Sequence, residues 1–192
     1  MNIKLKAVTI GDINGIGIHL LIKLWKYKKK EIGNFILVTN YNLFIKFLKK
    51  NNINIPTVRF SKFSEISKVG NNNFLIYDIK AKNNYQNTYN SLLHAFNLTK
   101  KNKCTSLITL PLNKEKINKN IDKNFIGQTE LLQKLDKKKI SNMFFYSKKI
   151  IIVSLTTHIP ISKVSSIFKN KNFIYKKILF INHTLKHDFN IA

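Results

Sequence analysis

The sequence predicts a layered α/β fold, on three observations. Short β-rich apolar runs alternate with longer amphipathic stretches along most of the chain. The first such run ends at a glycine-rich turn, "GDINGIG", before an amphipathic segment begins. No internal repeat and no obvious interdomain linker breaks the alternation.

The elements follow in order. "LKAVTI" at 5–10 reads as a buried strand, and 16–29 as a helix with Ile18, Leu21, Ile22 and Trp25 on one face. "NFILVTN" at 34–40 is a second strand and "YNLFIKFLKKN" at 41–51 a second helix. "TVRF" at 57–60 and "NFLIYDI" at 73–79 are shorter strands, while the Asn-rich stretches at 71–73 and 83–84 read as loops. A helix over 85–102 is predicted to place Tyr89, Leu92, Leu93 and Phe96 on a common face. "TSLITL" at 105–110 is a strand that stops at Pro111, and a helix follows Gly127 through "TELLQKL". "NMFFYS" and "IIIVSLT" read as neighbouring strands with Ser147, Lys148 and Lys149 as their turn. Helices near 160–169 and 172–187 complete the pattern.

The chain has 192 residues, 44% of them hydrophobic with 14 Phe, enough for a substantial core in one or two domains. A formal net charge of +25 would suit nucleic acid or an anionic surface as partner. Two features argue otherwise. Arg59 is the only arginine, whereas bidentate recognition of phosphate and guanine favours arginine. The lysines are also spread along the whole chain amid abundant Asn and Ile, as a bias toward AT-rich codons would produce, instead of gathering on one face. Cys104 is the only cysteine, so no internal disulfide can form and a reducing compartment fits. No signal-peptide pattern opens the chain, and no apolar run reaches the roughly 20 residues of a membrane helix. The expectation is a cytoplasmic protein with no membrane partner.

Taken alone, "GDINGIG" is a tight strand-to-helix turn. Gly11, Gly15 and Gly17 do not have the G-x-G-x-x-G spacing, and no Lys-Ser/Thr follows for a P-loop. Three further segments stand at strand ends or helix starts: "TLPLNKEKI" at 109–117, "FIGQTELLQKL" at 125–135 and "VSLTTHIPISKV" at 153–164. In this order the four segments resemble the 4-hydroxythreonine-4-phosphate dehydrogenase family of vitamin B6 biosynthesis. Its members show GD-x-x-GIG, then T-x-P-x-NKE, then G-H-T-E, then T-T-H-I-P. The ending "INHTLKHDFNIA" resembles the helix that comes next in the family and the start of the following strand.

The resemblance implies an isocitrate/isopropylmalate dehydrogenase-like layered fold, of which 1–192 would be the N-terminal portion, C-terminally truncated. In that fold two α/β domains flank an active-site cleft at a dimer interface. It implies oxidation of 4-phosphohydroxy-L-threonine, a phosphorylated hydroxy amino acid, with NAD or NADP and a divalent metal of the zinc, magnesium or cobalt type. Carbon dioxide is then lost from the keto acid. A metal on the substrate hydroxyl would stabilise the developing alkoxide while hydride leaves to the nicotinamide.

By position, His158 in "TTHIP" matches the family's first metal-binding histidine, and Thr129 matches the substrate-contacting threonine of G-H-T-E. The plain alternatives are a hydrogen-bonded loop histidine and a helix N-cap. Gln128 stands where the family has a substrate-contacting histidine; it can donate and accept hydrogen bonds but cannot titrate near neutrality. Asn113 and Lys114 of "NKE" could reach an anion in the cleft, or simply open a solvated helix. Ile18 and His19 replace the family's Pro-Glu after "GIG", which weakens the helix start. His183 and His187 lie four apart on a helix, a spacing that could share a metal, although a solvated face is the simpler reading. His94 reads as a boundary residue of its helix.

Further metal-binding histidines, one in an N-P-H-x-G segment, and the residues completing the substrate and cofactor sites come later in the family's pattern. The expectation is therefore a chain inactive alone, with a separately encoded C-terminal half as one possible partner. The alternatives are a decayed or non-catalytic remnant, suggested by Gln128, Ile18 and His19, and a basic nucleic-acid-binding module, suggested by charge alone.

Overall fold

The computed structural model describes residues 5–68, 73–138, 140–147, 149–157 and 159–191. The chain divides into two compact units, Met1–Lys134 and Leu135–Ala192.

The first unit is built on a five-stranded parallel sheet in the order β3-β4-β2-β1-β5. Its elements are β1 (Lys6–Thr9), α1 (Ile16–Tyr27), the single turn α2 (Lys29–Ile32), β2 (Phe35–Thr39), α3 (Tyr41–Lys50) and β3 (Thr57–Phe60). A 3-10 segment over Phe63–Lys68 precedes β4 (Phe74–Asp78), α4 (Asn84–Lys100), β5 (Ser106–Ile108), α5 (Lys114–Asn120) and α6 (Gln128–Leu135). Every residue of β2 is buried, as its unbroken apolar run requires of a central strand covered on both faces. On one face Val8, Phe35, Leu37, Phe74 and Ile76 pack against Ile18, Leu21 and Ile22 of α1 and Phe44, Phe47 and Leu48 of α3. On the other, Ala7, Ile36 and Val38 pack against Ala95 and Leu98 of α4, with Cys104 at the margin. Ile18 is fully buried in the first of these layers.

Asparagine does much of the helix capping. The side chains of Asn40, Asn83 and Asn113 accept the backbone N–H of Leu43, Gln86 and Lys116, opening α3, α4 and α5. Asn83 and Asn84 are thus the cap and first residue of α4, not a loop. Gln86 Oε1 in turn accepts the Lys82 N–H at 2.7 Å, a reciprocal arrangement close to a capping box. By contrast α1 opens at Ile16 with Gly15 as N-cap, no side-chain cap and no acidic residue in its first turn.

The second unit holds the antiparallel pair β6 (Phe144–Tyr146) and β7 (Ile151–Val153), then a 3-10 turn at Ile161–Lys163, α7 (Val164–Phe168) and α8 (Lys171–Phe189). The β6–β7 turn is held by Ser147, whose Oγ accepts the Ile150 N–H at 3.1 Å; Lys148 lies outside the described residues. Asn170 caps α8, and Phe144 stacks on Phe189 at 5.0 Å between ring centroids. Among the described residues no helix is long and apolar enough to cross a membrane.

Candidate functional site at the carboxyl edge of the sheet

Strands β2 and β5 lie on opposite sides of β1, so the chain reverses its direction of sheet growth at the carboxyl end of β1. In open α/β sheets this is where a crevice forms outside the strand ends. The turn after β1 and the segment after β5 meet there. Asp12 donates its N–H to the Pro111 carbonyl at 2.8 Å, and Leu110 donates its N–H to Thr9 Oγ1 at 3.1 Å.

Gly11 adopts φ +63°, and a Cβ there would stand 2.4 Å from the Pro111 oxygen. A Cβ at Gly17 would stand 2.9 Å from Pro111 Cδ. Gly11 and Gly17 of "GDINGIG" therefore let the turn lie flush against Leu110 and Pro111 of "TLPLNKE", while Gly15 lies against Asp12 within the turn itself.

Helix α4 closes the crevice from below with polar side chains. Ser91 Oγ accepts the Ile10 N–H at 2.9 Å and donates to the Val38 carbonyl at 2.5 Å. Thr88 Oγ1 donates to the Gly11 carbonyl at 2.6 Å. Asn87 donates to Thr39 Oγ1 at 2.9 Å and accepts the Asn40 N–H at 2.7 Å. The buried stripe of α4 is accordingly Asn87, Thr88, Ser91, Leu92, Ala95 and Leu98. Of the face expected from apolar periodicity only Leu92 is fully buried; Tyr89, Leu93 and Phe96 are half-buried. Tyr89 donates to Asp122 Oδ2 at 3.3 Å, and its burial followed by this carboxylate raises its pKa.

The candidate residues are distributed unevenly about this edge. Asn113 lines the pocket above α4 and caps α5. Gln128 donates its side-chain N–H to the Leu110 carbonyl at 3.0 Å, tying the start of α6 to the same segment. Thr129 is exposed and is the second residue of α6, so the N-cap reading fails; Leu131 donates its N–H to the Gly127 carbonyl instead. Lys114 is exposed and does not line the pocket. Lys116 does, and it pairs with Asp12 across 3.3 Å. No local pattern singled out Lys116 among so many lysines. His158 lies outside the described residues.

Two other sequence features have defined places in the fold. Arg59 pairs with Asp78 at 2.6 Å and lies over the Tyr41 ring at 5.4 Å, so the single arginine braces the ends of β3 and β4. His183 and His187 are exposed on α8 with ring centroids 4.2 Å apart. Among the described residues no three His, Cys, Asp or Glu side chains gather as a metal site.

Residues 31–192 match the family model described as pyridoxal phosphate biosynthetic protein PdxA. The chain belongs to this family. A 4-hydroxythreonine-4-phosphate dehydrogenase of Sulfurihydrogenibium sp. (strain YO3AOP1) is 27% identical over 195 aligned residues, covering 97% of this chain and 59% of that relative. The enzyme of the same name from Sulfurimonas denitrificans is 28% identical over 165, covering 86% and 51%. The curated relatives it matches are named dehydrogenases, and the family model is described as a pyridoxal phosphate biosynthetic protein. The chain spans little more than half the length of the curated relatives it matches.

Crystal structures of 4-hydroxythreonine-4-phosphate dehydrogenases share the fold. That from Klebsiella pneumoniae superposes with TM-score 0.72 at 20% identity, over 83% of this chain and 53% of the other. That from Burkholderia phymatum gives 0.68 at 18%, over 84% and 52%.

Proposed function

We propose that this PdxA-family chain forms the N-terminal part of an NAD(P)- and divalent-metal-dependent dehydrogenase with an isocitrate/isopropylmalate dehydrogenase-like fold. It would oxidise 4-phosphohydroxy-L-threonine, with decarboxylation of the keto acid, in pyridoxal 5′-phosphate biosynthesis in the cytoplasm. The observation that carries this reading is the meeting of three sequence-distant segments at one edge: Asp12 of "GDINGIG" bonds Pro111, and Gln128 of "GQTE" bonds Leu110 beside "NKE".

In this reading Thr129 supplies a hydroxyl to the substrate, and Gln128 offers its remaining amide donor and its oxygen in place of an imidazole. Asn113 presents its amide nitrogen, and Lys114, exposed at the first position of α5 and outside the pocket lining, adds only long-range positive charge for the phosphoryl group. A bound nicotinamide would supply the hydride acceptor and a divalent ion the Lewis acid. The described residues do not themselves make a metal site, and one imidazole at His158 falls short of the three protein ligands usual for a catalytic ion. The remaining ligands would come from a further polypeptide segment, joined or separately encoded, and the assembled enzyme would be a homodimer.

The test is co-expression of this chain with a segment corresponding to the rest of the curated relatives. The chain alone should reduce no NAD or NADP with 4-phosphohydroxy-L-threonine and metal; the complex should. Gln128→His should raise kcat/KM in the complex. A soluble stoichiometric complex without metal-dependent turnover would overturn the reading.

A further inference from the structure

Helix α8 carries near its end a pair of imidazoles that the dehydrogenase reading does not use. His183 and His187 lie four apart, about one helical turn, and so share a face. Both are exposed, and their ring centroids stand 4.2 Å apart with 28° between the planes. Apart from this mutual stacking, neither side chain makes a hydrogen bond or ion pair with any described residue. A neutral imidazole has one N–H donor and one nitrogen lone pair, so two such lone pairs stand side by side.

That spacing suits a metal ion. Metal–nitrogen bonds of roughly 2.0–2.1 Å at a tetrahedral angle hold two ligating nitrogens roughly 3.3 Å apart. Exposed rings this close need only turn about their broad terminal torsions to aim both lone pairs at one point. Imidazole suits late first-row ions, whereas Mg²⁺ and Ca²⁺ take oxygen ligands.

The helix end favours a cation as well. Both histidines lie in the last two turns before the cap at Asn190, where carbonyls without intrahelical partners make the terminus negative. Lys186 opposes a bound cation and Asp188 offsets it. Among the described residues no third His, Cys, Asp or Glu joins the pair, so water completes the coordination. Two protein ligands make a clip, not a catalytic centre.

We propose that His183 and His187 chelate a late first-row divalent ion of the zinc type, which clips together the last two turns of α8. The clip has something to hold. None of the described residues from 135 to 191 is buried, so apolar burial does little to keep α8 closed. An ion that binds only the closed helix supplies stability that packing does not. The inference does not rest on the dehydrogenase reading and involves no redox step.

The test is titration of the isotopically labelled full chain with Zn²⁺, read by histidine ring NMR shifts and amide hydrogen exchange. The rings of His183 and His187 should shift together with a Kd below about 1 mM, and about tenfold excess Mg²⁺ should not displace the zinc. His183→Gln and His187→Gln should each weaken this binding at least about tenfold, because either leaves a single imidazole. Both positions are exposed, so neither substitution threatens the fold. At zinc about ten times its Kd, exchange in the last two turns of α8 should slow about tenfold in the parent chain and not in the variants. Movement of one ring alone, unweakened binding by either variant, or displacement by Mg²⁺ would overturn the inference. Zinc binding that leaves α8 exchange unchanged would overturn it too.

Discussion

Gly11 carries two constraints that can be tested together. Its φ of +63° lies in the left-handed region, and the Pro111 oxygen leaves no room for a Cβ. Gly11→Ala should therefore lower stability by about 1–3 kcal/mol, read as a shift of the denaturant midpoint, with Gly15→Ala milder because that position keeps a negative φ. Cys104 offers a second test. It is 3% exposed, and burial pushes its thiol from 9.0 up to about 11. The native chain should react with thiol reagents far more slowly than the unfolded chain at neutral pH. Because the folded state disfavours the thiolate, stability should fall as pH rises from about 9 to about 11, and more steeply than in Cys104→Ala. The sequence showed the glycine turn and the solitary cysteine, but not what they touch. The partners of Asp12 and Gly11 lie about a hundred positions away, at Lys116 and Pro111. A lysine is picked out by the carboxylate opposite it, and that pairing exists only after β5 is laid beside β1.

Among the elements, α4 is where apolar periodicity misled. Periodicity weighs apolar content, and Tyr89, Leu93 and Phe96 are among the large apolar side chains of that helix, yet only half-buried, while Leu92 and Leu98 are buried. Inside the fold the facing surface is the end of two strands, whose backbone groups need partners more than they need an apolar cover. Ser91 meets the Ile10 N–H and the Val38 carbonyl, and Asn87 meets Thr39 and Asn40. Ser91→Ala would leave a buried donor and a buried acceptor without their hydroxyl. It should cost about 1–3 kcal/mol by chemical denaturation, whereas Leu93→Ala should cost less than a fully buried leucine does. The strands needed no such correction. Runs such as "FILVTN" are buried on both faces, and there β-branched and aromatic content alone carries the assignment. The caps were partly readable: Asn83 is followed three residues later by Gln86, a helix-start signature within a stretch that Asn content made look like a loop.

Across the whole molecule the two units differ in how well each is packed. The first has a parallel sheet with buried layers on both faces. In the second, none of the described residues from 135 to 191 is buried, and Phe145, Ile152, Phe173, Ile178 and Leu179 are exposed. Local opening free energy follows buried apolar contact, so amide protection should follow the same division. Hydrogen exchange should be slowest in β1 and β2, whose amides open only with the first unit. Exchange in β6, β7 and α8 should be faster by orders of magnitude, because little apolar burial opposes their opening. The same experiment on the complex with the complementing segment gives the proposed assembly a structural readout independent of turnover. If the proposed segment covers this apolar surface, exchange in α8 and the β6–β7 pair should slow while β2 stays unchanged. Protection in α8 equal to that in β2 for the chain alone would show that the second unit is stable without further burial. It would remove the physical reason to expect a complementing segment there.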